Sequence, residues 1–398
     1  MTSECLMKNN KICIVTGTRA EYHLLHPLIM AFKKEKCFDV SLAVTGGHLS
    51  EHHGSTYHDI EKDGITIAAK IPILGDGDSA SDINHAMSRA IDGFDGYFCA
   101  DRPDVVVLLG DRYELLAVAV VCMNLHIPIA HIHGGETTEG AIDESIRHAV
   151  TKMSYLHFTS CEAYRRRVIQ LGESPDRVFN VGALGVENIR RACLMSREEL
   201  SASVGFDLSG EYAVLTYHPV TLEDGSETKD MEEVFAATDS FPEIKFLFTK
   251  ANADRGGTKI NQMIDTYVSE HPGRCMAVHS LGMIRYLSAL KYAACVIGNS
   301  SSGIIETPSF GVPTVNIGDR QKGRIQAENI INCTAEKSAI ADAIRKALSE
   351  EFRMIARNAV NPYGDGNTSK KIVKHIKAFF ARGEHTLKKR FFDIDRDE

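Results

Sequence analysis

The stretch DVVVLLGDRYELLAVAVVCMNLHIPIAHIHGGE, residues 104–136, decides the fold class. An apolar run at 105–109 ends in a Gly-Asp turn, a longer apolar stretch occupies 115–123, and a second short run at 127–132 ends in another glycine turn. Short apolar runs bounded by turn residues suit strands buried on both faces. Strand, helix and strand in that order form the repeating unit of a parallel sheet.

Working outward, the same alternation fills most of the chain in two series. The first contains KICIVTG, DVSLAVTGG, DVVVLLGD, IPIAHIHGG, LHFTS and RVFNVGA; the second contains YAVLTYHP, IKFLFTK, CMAVHS, CVIGNS and VPTVNIG. The reading is therefore an α/β protein of two Rossmann-like domains with parallel sheets. The expected divisions are an N-terminal domain over 1–190, a C-terminal domain over 191–366, and a C-terminal helix with an acidic tail over 367–398 that packs back on the first domain. Residues 196–211, polar and carrying Gly205 and Gly210, read as the joint between the series. Asn367 and Thr368 are placed to cap the last helix, whose apolar residues Ile372, Val373, Ile376, Phe379 and Phe380 recur at helical spacing. The polar run at 222–230 reads as a mobile loop.

At 398 residues the chain fits two or three domains of roughly 150 residues. With 43% hydrophobic and 25% charged residues it is an ordinary globular composition. A net charge of -8 gives no electrostatic reason to coat nucleic acid or an anionic membrane, so a phosphate ligand must be met by a small local basic group. The ten cysteines are scattered without a C-x-x-C pair, which reads as reduced thiols in a cytoplasmic protein. No signal peptide is evident, and the apolar stretch at 115–123 falls short of the ~18 to 20 residues needed to span a bilayer.

The unusual residues collect at the carboxyl ends of the expected strands: TGTR (16–19), TGGH (45–48), GDR (110–112), HIHGGE (131–136), YHP (217–219), GNSSSG (298–303) and GDR (318–320). Ligands of open parallel sheets bind outside those ends, so two such sheets suggest a ligand held in a cleft between domains. In GNSSSG, Ser300 and Ser301 precede an expected helix and can cradle a phosphate or cap the helix. Glu306, one or two turns further, can accept from ribose hydroxyls. The first turn lacks G-x-G-x-x-G, which disfavours NAD. Arg19 offers a cation for phosphate, and His218 a donor or proton shuttle. Asp111, Arg112, Glu136, Asp143 and Arg147 surround the fourth and fifth turns. A helix over 139–156 would put Asp143 and Arg147 at i, i+4 as an ion pair. Carboxylates with arginines fixing their ionisation point to proton transfer. His131 and His133, one residue apart in a strand, would point the same way, and with His48, His52 and His53 they raise the question of a metal. No third ligand has recognisable spacing, so no metal is expected, and no cofactor.

GDRYE (110–114), HIHGGE, DESIRH (143–148), TKMS (151–154), RVIQLGE (167–173), HP (218–219), GNSSSG and GDRQKGR (318–324) together resemble the hydrolysing UDP-N-acetylglucosamine 2-epimerases of sialic acid synthesis, the NeuC type, over residues 11–375. The resemblance implies a GT-B-like fold and a metal-free reaction. UDP is expelled by anti elimination across carbons 1 and 2 of UDP-GlcNAc, and the glycal is hydrated to N-acetylmannosamine. Matched residue by residue, Asp111 and Asp143 fall on acid, base or glycal-stabilising carboxylates, and Arg112 and Arg147 on the basic residues beside them. Ser300, Ser301 and Glu306 fall on phosphate and ribose contacts, and His218 and Arg320 on groups near the pyrophosphate and uridine. Arg19 and Asn252 join the UDP-sugar-binding set. Many relatives read HIEGGE with a catalytic Glu where this chain has His133, so the proton falls to His133, Glu136 or Glu144. The same chemistry on UDP-2,4-diacetamido-2,4,6-trideoxyglucose, for legionaminic acid, is the alternative. A GT-B glycosyltransferase or a UDP-sugar sensor would share the nucleotide site without this turnover. The resemblance also implies a homodimer or homotetramer.

Overall fold

The computed structural model describes residues 9–51, 54–75, 77, 79–139, 142–219, 227–250, 257–279, 281–383 and 387–394. The chain forms two compact units. The first comprises residues 1–136, 143–188 and 364–398, and the second 137–142 and 189–363. Among the described residues no helix is long and apolar enough to cross a membrane, and the nine described cysteines are all free.

The first unit is built on a parallel sheet of β1 (Asn10–Thr16), β2 (Phe38–Thr45), β3 (Ala69–Ile71), β4 (Val105–Leu109), β5 (Ile129–Ile132), β6 (Leu156–Thr159) and β7 (Val178–Asn180). Its strands lie in the order β3-β2-β1-β4-β5-β6-β7. Side chains alternate across a strand, so Ile12 and Ile14 of β1 join one core cluster while Cys13 and Val15 join the cluster on the other face. All five residues of β4 are buried. This double burial is why the strands read as continuous apolar runs.

The second unit repeats the plan with β8 (Tyr212–Thr216), β9 (Lys245–Thr249), β10 (Cys275–Val278), β11 (Cys295–Gly298), β12 (Thr314–Ile317) and β13 (Ile330–Cys333), ordered β10-β9-β8-β11-β12-β13. Ala213 and Leu215 face one cluster, Tyr212 and Val214 the other. In each sheet the order reverses at one place, between β1 and β4 in the first and between β8 and β11 in the second. There the turns leaving adjacent strands diverge, which makes the ligand-binding crevice of an open parallel sheet.

Four local expectations change. β3 and β13 are additional short edge strands, with three and four residues and no sustained β-branched run to announce them. Within the polar stretch between the two series, residues 197–204 form a helix: the Ser196 hydroxyl and Glu199 make a capping box, and Gly205 ends the helix in a left-handed conformation. Helix Glu227–Thr238 takes the end of the polar run at 222–230, and residues 220–226 lie outside the described ones. Helix Thr368–Ala381 is not capped by the Asn367 side chain. Glu187 instead reaches across 182 residues of sequence to accept the Ser369 N–H at 2.6 Å, while Thr368 donates to the Ala183 carbonyl. The helix buries Ile372, Val373, Ile376 and Phe379 in the first unit's core.

A carboxylate at a helix N-terminus stabilises by satisfying free N–H groups and meeting the helix dipole. Glu187→Ala is expected to lower unfolding stability by about 1–2 kcal/mol, read as a shift of the urea midpoint at unchanged slope. An unchanged midpoint would remove Glu187 as the cap.

Candidate functional site

At the reversal in the first sheet, the turns after β1, β2 and β4 meet around Glu114. This residue lies in the first turn of helix Tyr113–Asn124 and is 1% exposed. Its Oε1 accepts Arg112 Nε at 2.7 Å. The same oxygen lies so close to Gly17 that a Cβ there would sit 2.5 Å away, so any larger residue at that point would have to displace the Glu114 carboxylate. The TGGH turn is tied in by the His48 N–H, which donates to the Gly17 carbonyl at 3.3 Å, and by the His48 ring against Thr16 Oγ1 at 3.1 Å.

A second acid belongs here. Glu21 Oε2 accepts the N–H groups of Gly17 and Thr18 at 2.7 and 3.2 Å, half of a capping box on helix Arg19–Lys33. Burial, reinforced by the charge of Glu114, pushes Glu21 up to about 8. At neutral pH Glu21 is therefore largely protonated, and Arg112 pairs with Glu114. Arg19 opens the same helix, and its Nε is 3.7 Å from Asp59, an ion pair beyond hydrogen-bond length.

The neighbouring turns bring Asp111, Asp143, Glu144, Arg147 and Glu136 together. Arg147 is 1% exposed; it ion-pairs with Asp111 and with Glu144 Oε2 at 2.7 Å, and donates to the Glu136 carbonyl at 3.0 Å. The expected i, i+4 pair of Asp143 with Arg147 is replaced by these contacts. Helix Asp143–Met153 starts at Asp143 itself rather than at 139, and Arg147 is drawn to the i, i+3 acid and across to the β4 turn. Asp143 is left half-buried, its carboxyl pushed up by burial and then by the charge of Asp111, against the pull of Arg112 and Arg147.

The two histidines of HIHGGE do not point the same way. β5 ends at Ile132 and His133 takes a left-handed φ of 66°, which breaks the alternation. His131, fully buried, binds the Gly110 carbonyl through Nε2 at 2.8 Å and faces Thr151 through Nδ1 at 3.2 Å. Burial lowers it to about 3, so it is neutral. His133 Nε2 accepts the Leu184 N–H at 3.5 Å, which leaves its proton on Nδ1, 3.6 Å from Glu136 Oε1. Glu136 also accepts the Ser160 hydroxyl at 2.7 Å. His52 and His53 lie outside the described residues.

In the second unit, the reversal between β8 and β11 is organised by Asn299, which is fully buried. Asn299 Oδ1 accepts the His218 N–H at 2.7 Å and its Nδ2 donates to the His218 carbonyl at 2.8 Å. Its own carbonyl accepts Arg320 Nη1 at 3.1 Å and Gln321 Nε2 at 2.8 Å. Gly298 just before it has φ 130°, and a Cβ would sit 1.8 Å from the Thr216 carbonyl, so only glycine fits. The His218 Nδ1 is buried without a hydrogen-bond partner among the described residues. Burial and then the Arg320 charge lower His218 to about 3.

The serines differ from the expected capping arrangement. The helix after them, Ser302–Ile305, is one turn long and the Ser301 side chain does not cap it; Ser300 Oγ accepts the Ser302 N–H at 3.4 Å. A single turn has little dipole, so what this turn can offer an anion is hydroxyls and N–H groups with nearby cations. Glu306 ends that turn rather than lying further along a longer helix; it accepts the Ser302 hydroxyl, and burial raises its carboxyl. Asn252 lies outside the described residues. Sequence reading passed over Glu21, Glu114 and Asn299 as site residues. Glu21 had a local signal, three residues after Thr18 in the capping-box pattern; the other two are recognisable only by burial and long-range partners.

His48 offers a test of this electrostatic reading, since burial lowers it to about 4 from an ordinary 6.5. The unfolded chain then binds the proton more readily than the folded one. Its contribution to stability is present above pH 6.5 and is lost as pH falls toward 4. Between pH 7 and 5 the loss is about 2 kcal/mol. His48→Gln should reduce the pH 7 to 5 drop in unfolding free energy by about that amount; an identical drop in both proteins would refute it.

Residues 30–377 match the family model described as UDP-N-acetylglucosamine 2-epimerase. The chain is 43% identical over 347 residues to the GDP/UDP-N,N'-diacetylbacillosamine 2-epimerase (hydrolyzing) of Campylobacter jejuni, covering 87% of this chain and 90% of that one. It is 40% identical over 385 residues to the polysialic acid biosynthesis protein P7 of Escherichia coli, covering 96% and 97%. Among solved structures, the UDP-GlcNAc 2-epimerase from Neisseria meningitidis bound to UDP-GlcNAc aligns with a TM-score of 0.80 at 17% identity, over 92% of this chain and all of that one. That likeness concerns the fold, two parallel-sheet α/β domains of the GT-B-like kind. The chain belongs to the UDP-N-acetylglucosamine 2-epimerase family.

Proposed function

We propose that this protein is a hydrolysing 2-epimerase that converts UDP-GlcNAc and water to UDP and N-acetylmannosamine. The observation that carries the reading is the acid cluster at the turns after β4 and β5. There Asp143 is held half-buried with a raised pKa beside Asp111, whose charge is met by the buried Arg147. A buried carboxyl with a raised pKa among charged partners is suited to proton transfer.

The reaction runs in two stages. The carbon 2 proton leaves to a carboxylate while the carbon 1–oxygen bond breaks toward UDP, giving 2-acetamidoglucal; water then adds to carbon 1 and a proton returns to the opposite face of carbon 2. That proton is not next to a carbonyl, so the barrier is lowered by stabilising the departing diphosphate. His218, Arg320, Ser300 and Ser301 take that charge, with Arg19 and Arg112 as further cations, and Glu306 takes the ribose. His218 has a buried Nδ1 without a partner, and an arriving diphosphate would raise its pKa and make it a donor. Asp143 and the His133–Glu136 pair supply proton-transfer groups on the sugar. Asn252 stays in the proposed UDP-sugar set. No cofactor is invoked. The reading places the protein in the cytoplasm, as a homodimer or homotetramer.

A second reading keeps the chemistry and changes the sugar to UDP-2,4-diacetamido-2,4,6-trideoxyglucose, favoured by the name of the Campylobacter jejuni relative. Proton NMR in heavy water separates them. UDP-GlcNAc should yield free UDP and N-acetylmannosamine deuterated at carbon 2. If UDP-GlcNAc is inert and the diacetamido sugar turns over, the second reading holds; inertness of both overturns the proposal. Asp143→Asn should lower kcat by about 10² to 10⁴ while UDP affinity is retained, and His218→Ala should weaken UDP binding. Unchanged turnover in Asp143→Asn would remove its assigned role.

A further inference from the structure

A cavity of ≈ 270 Å³ opens in the first unit, lined by Tyr155, Leu156, Arg177 and Phe179 at the start of β6 and β7 and by residues of the C-terminal helix and the segment after it. All strands of this sheet are parallel, so these amino ends lie at the edge opposite the turns that carry Asp111 and His133. The cavity is therefore separate from the acid cluster.

Its charge is unbalanced. Arg177, Arg382, Lys388 and Arg390 line it against one carboxylate, Asp176, among the described lining residues. Arg177 is the telling member: it is 8% exposed, lies 4.8 Å over the Tyr155 ring, and has no carboxylate partner among the described residues. The buried acid nearby, Glu173, is already occupied by Lys152 at 2.6 Å, His157 at 3.0 Å and Lys389 at 2.9 Å. A buried guanidinium without an anion is costly, yet here it faces a cavity rather than packed side chains.

We propose that this cavity binds a small organic phosphate of phosphosugar size, with Arg177 as the buried anchor and Arg382, Lys388 and Arg390 around it. Arginine forks match phosphate oxygens in pairs, and four cations suit a dianion better than a monocarboxylate. The rings of Tyr155, Phe179 and Phe379 offer an apolar wall for a sugar face. The volume is at the small end for ligand sites, too tight for a nucleotide-sugar. The inference uses none of the residues assigned to turnover and stands independently of that reading.

Calorimetric titration of the full chain, with UDP saturating so that nucleotide-site phosphate groups are filled, tests it. Glucose 6-phosphate is expected to bind in the submillimolar range, glucuronate and inorganic phosphate roughly tenfold or more weakly, and glucose not at all. The exposed double variant Arg382→Ala/Arg390→Ala should weaken glucose 6-phosphate by about tenfold or more and leave UDP affinity and turnover unchanged. Arg177→Met should abolish the binding; because a buried change can impair folding, the exposed pair decides. Equal binding by parent and double variant overturns the site. Glucose 6-phosphate no tighter than glucose or inorganic phosphate overturns the phosphosugar assignment, and tighter glucuronate overturns the phosphate.

Discussion

Everything chemical in this protein depends on where a parallel sheet reverses its strand order. Adjacent parallel strands send their connections to the same edge, and only at the reversal do neighbouring turns part and leave their backbone groups uncovered. Pairing of β1 with β4 puts the Gly17 turn beside the Gly110 turn; pairing of β8 with β11 puts His218 beside Asn299. The glycines follow from that closeness. Gly17 has Glu114 where a side chain would go, and Gly298 has the Thr216 carbonyl.

Such an edge gathers polar groups out of water, and each must be met. The first unit does so with arginines: Arg147 answers Asp111 and Glu144, and Arg112 answers Glu114. Where acids crowd together out of water, burial and like charge raise their carboxyls, Glu21 to about 8 and Asp143 upward from its ordinary value. The second unit uses a neutral amide, Asn299, to fix the backbone beside His218, and the Asn299 carbonyl holds Arg320. The same sheet plan thus carries an edge of paired carboxylates and arginines in one unit and an edge fixed by a buried amide beside histidine and arginine in the other.

The fold class was legible because burial on both faces writes itself as apolar runs, as in Val105–Leu109, and the turn residues mark where each run stops. What escaped notice was set by tertiary partners. The three residues of β3 pair in the sheet only because β2 offers an edge. Glu187 looks like an ordinary helix acid until Ser369 arrives from the other end of the chain. His133 looked like a strand residue, and its left-handed φ turns the imidazole from a presumed neighbour of His131 into a partner of Leu184 and Glu136.

Charge shows the same dependence on place rather than composition. A chain of net charge -8 has no broad basic surface to offer, yet Arg177 is buried against Tyr155 with no carboxylate beside it among the described residues. Glu173 meets the surrounding cations in the same unit, down to about 2 in its own pKa, held there by the hydrogen bonds and charges of His157, Lys152 and Lys389 against the opposing effect of burial. An acid already accepting from three side chains, one of them through both oxygens, has no lone pair to spare for another. That Arg177 has no carboxylate partner among the described residues is therefore a local consequence of how Glu173 is shared, and net charge could not have revealed it.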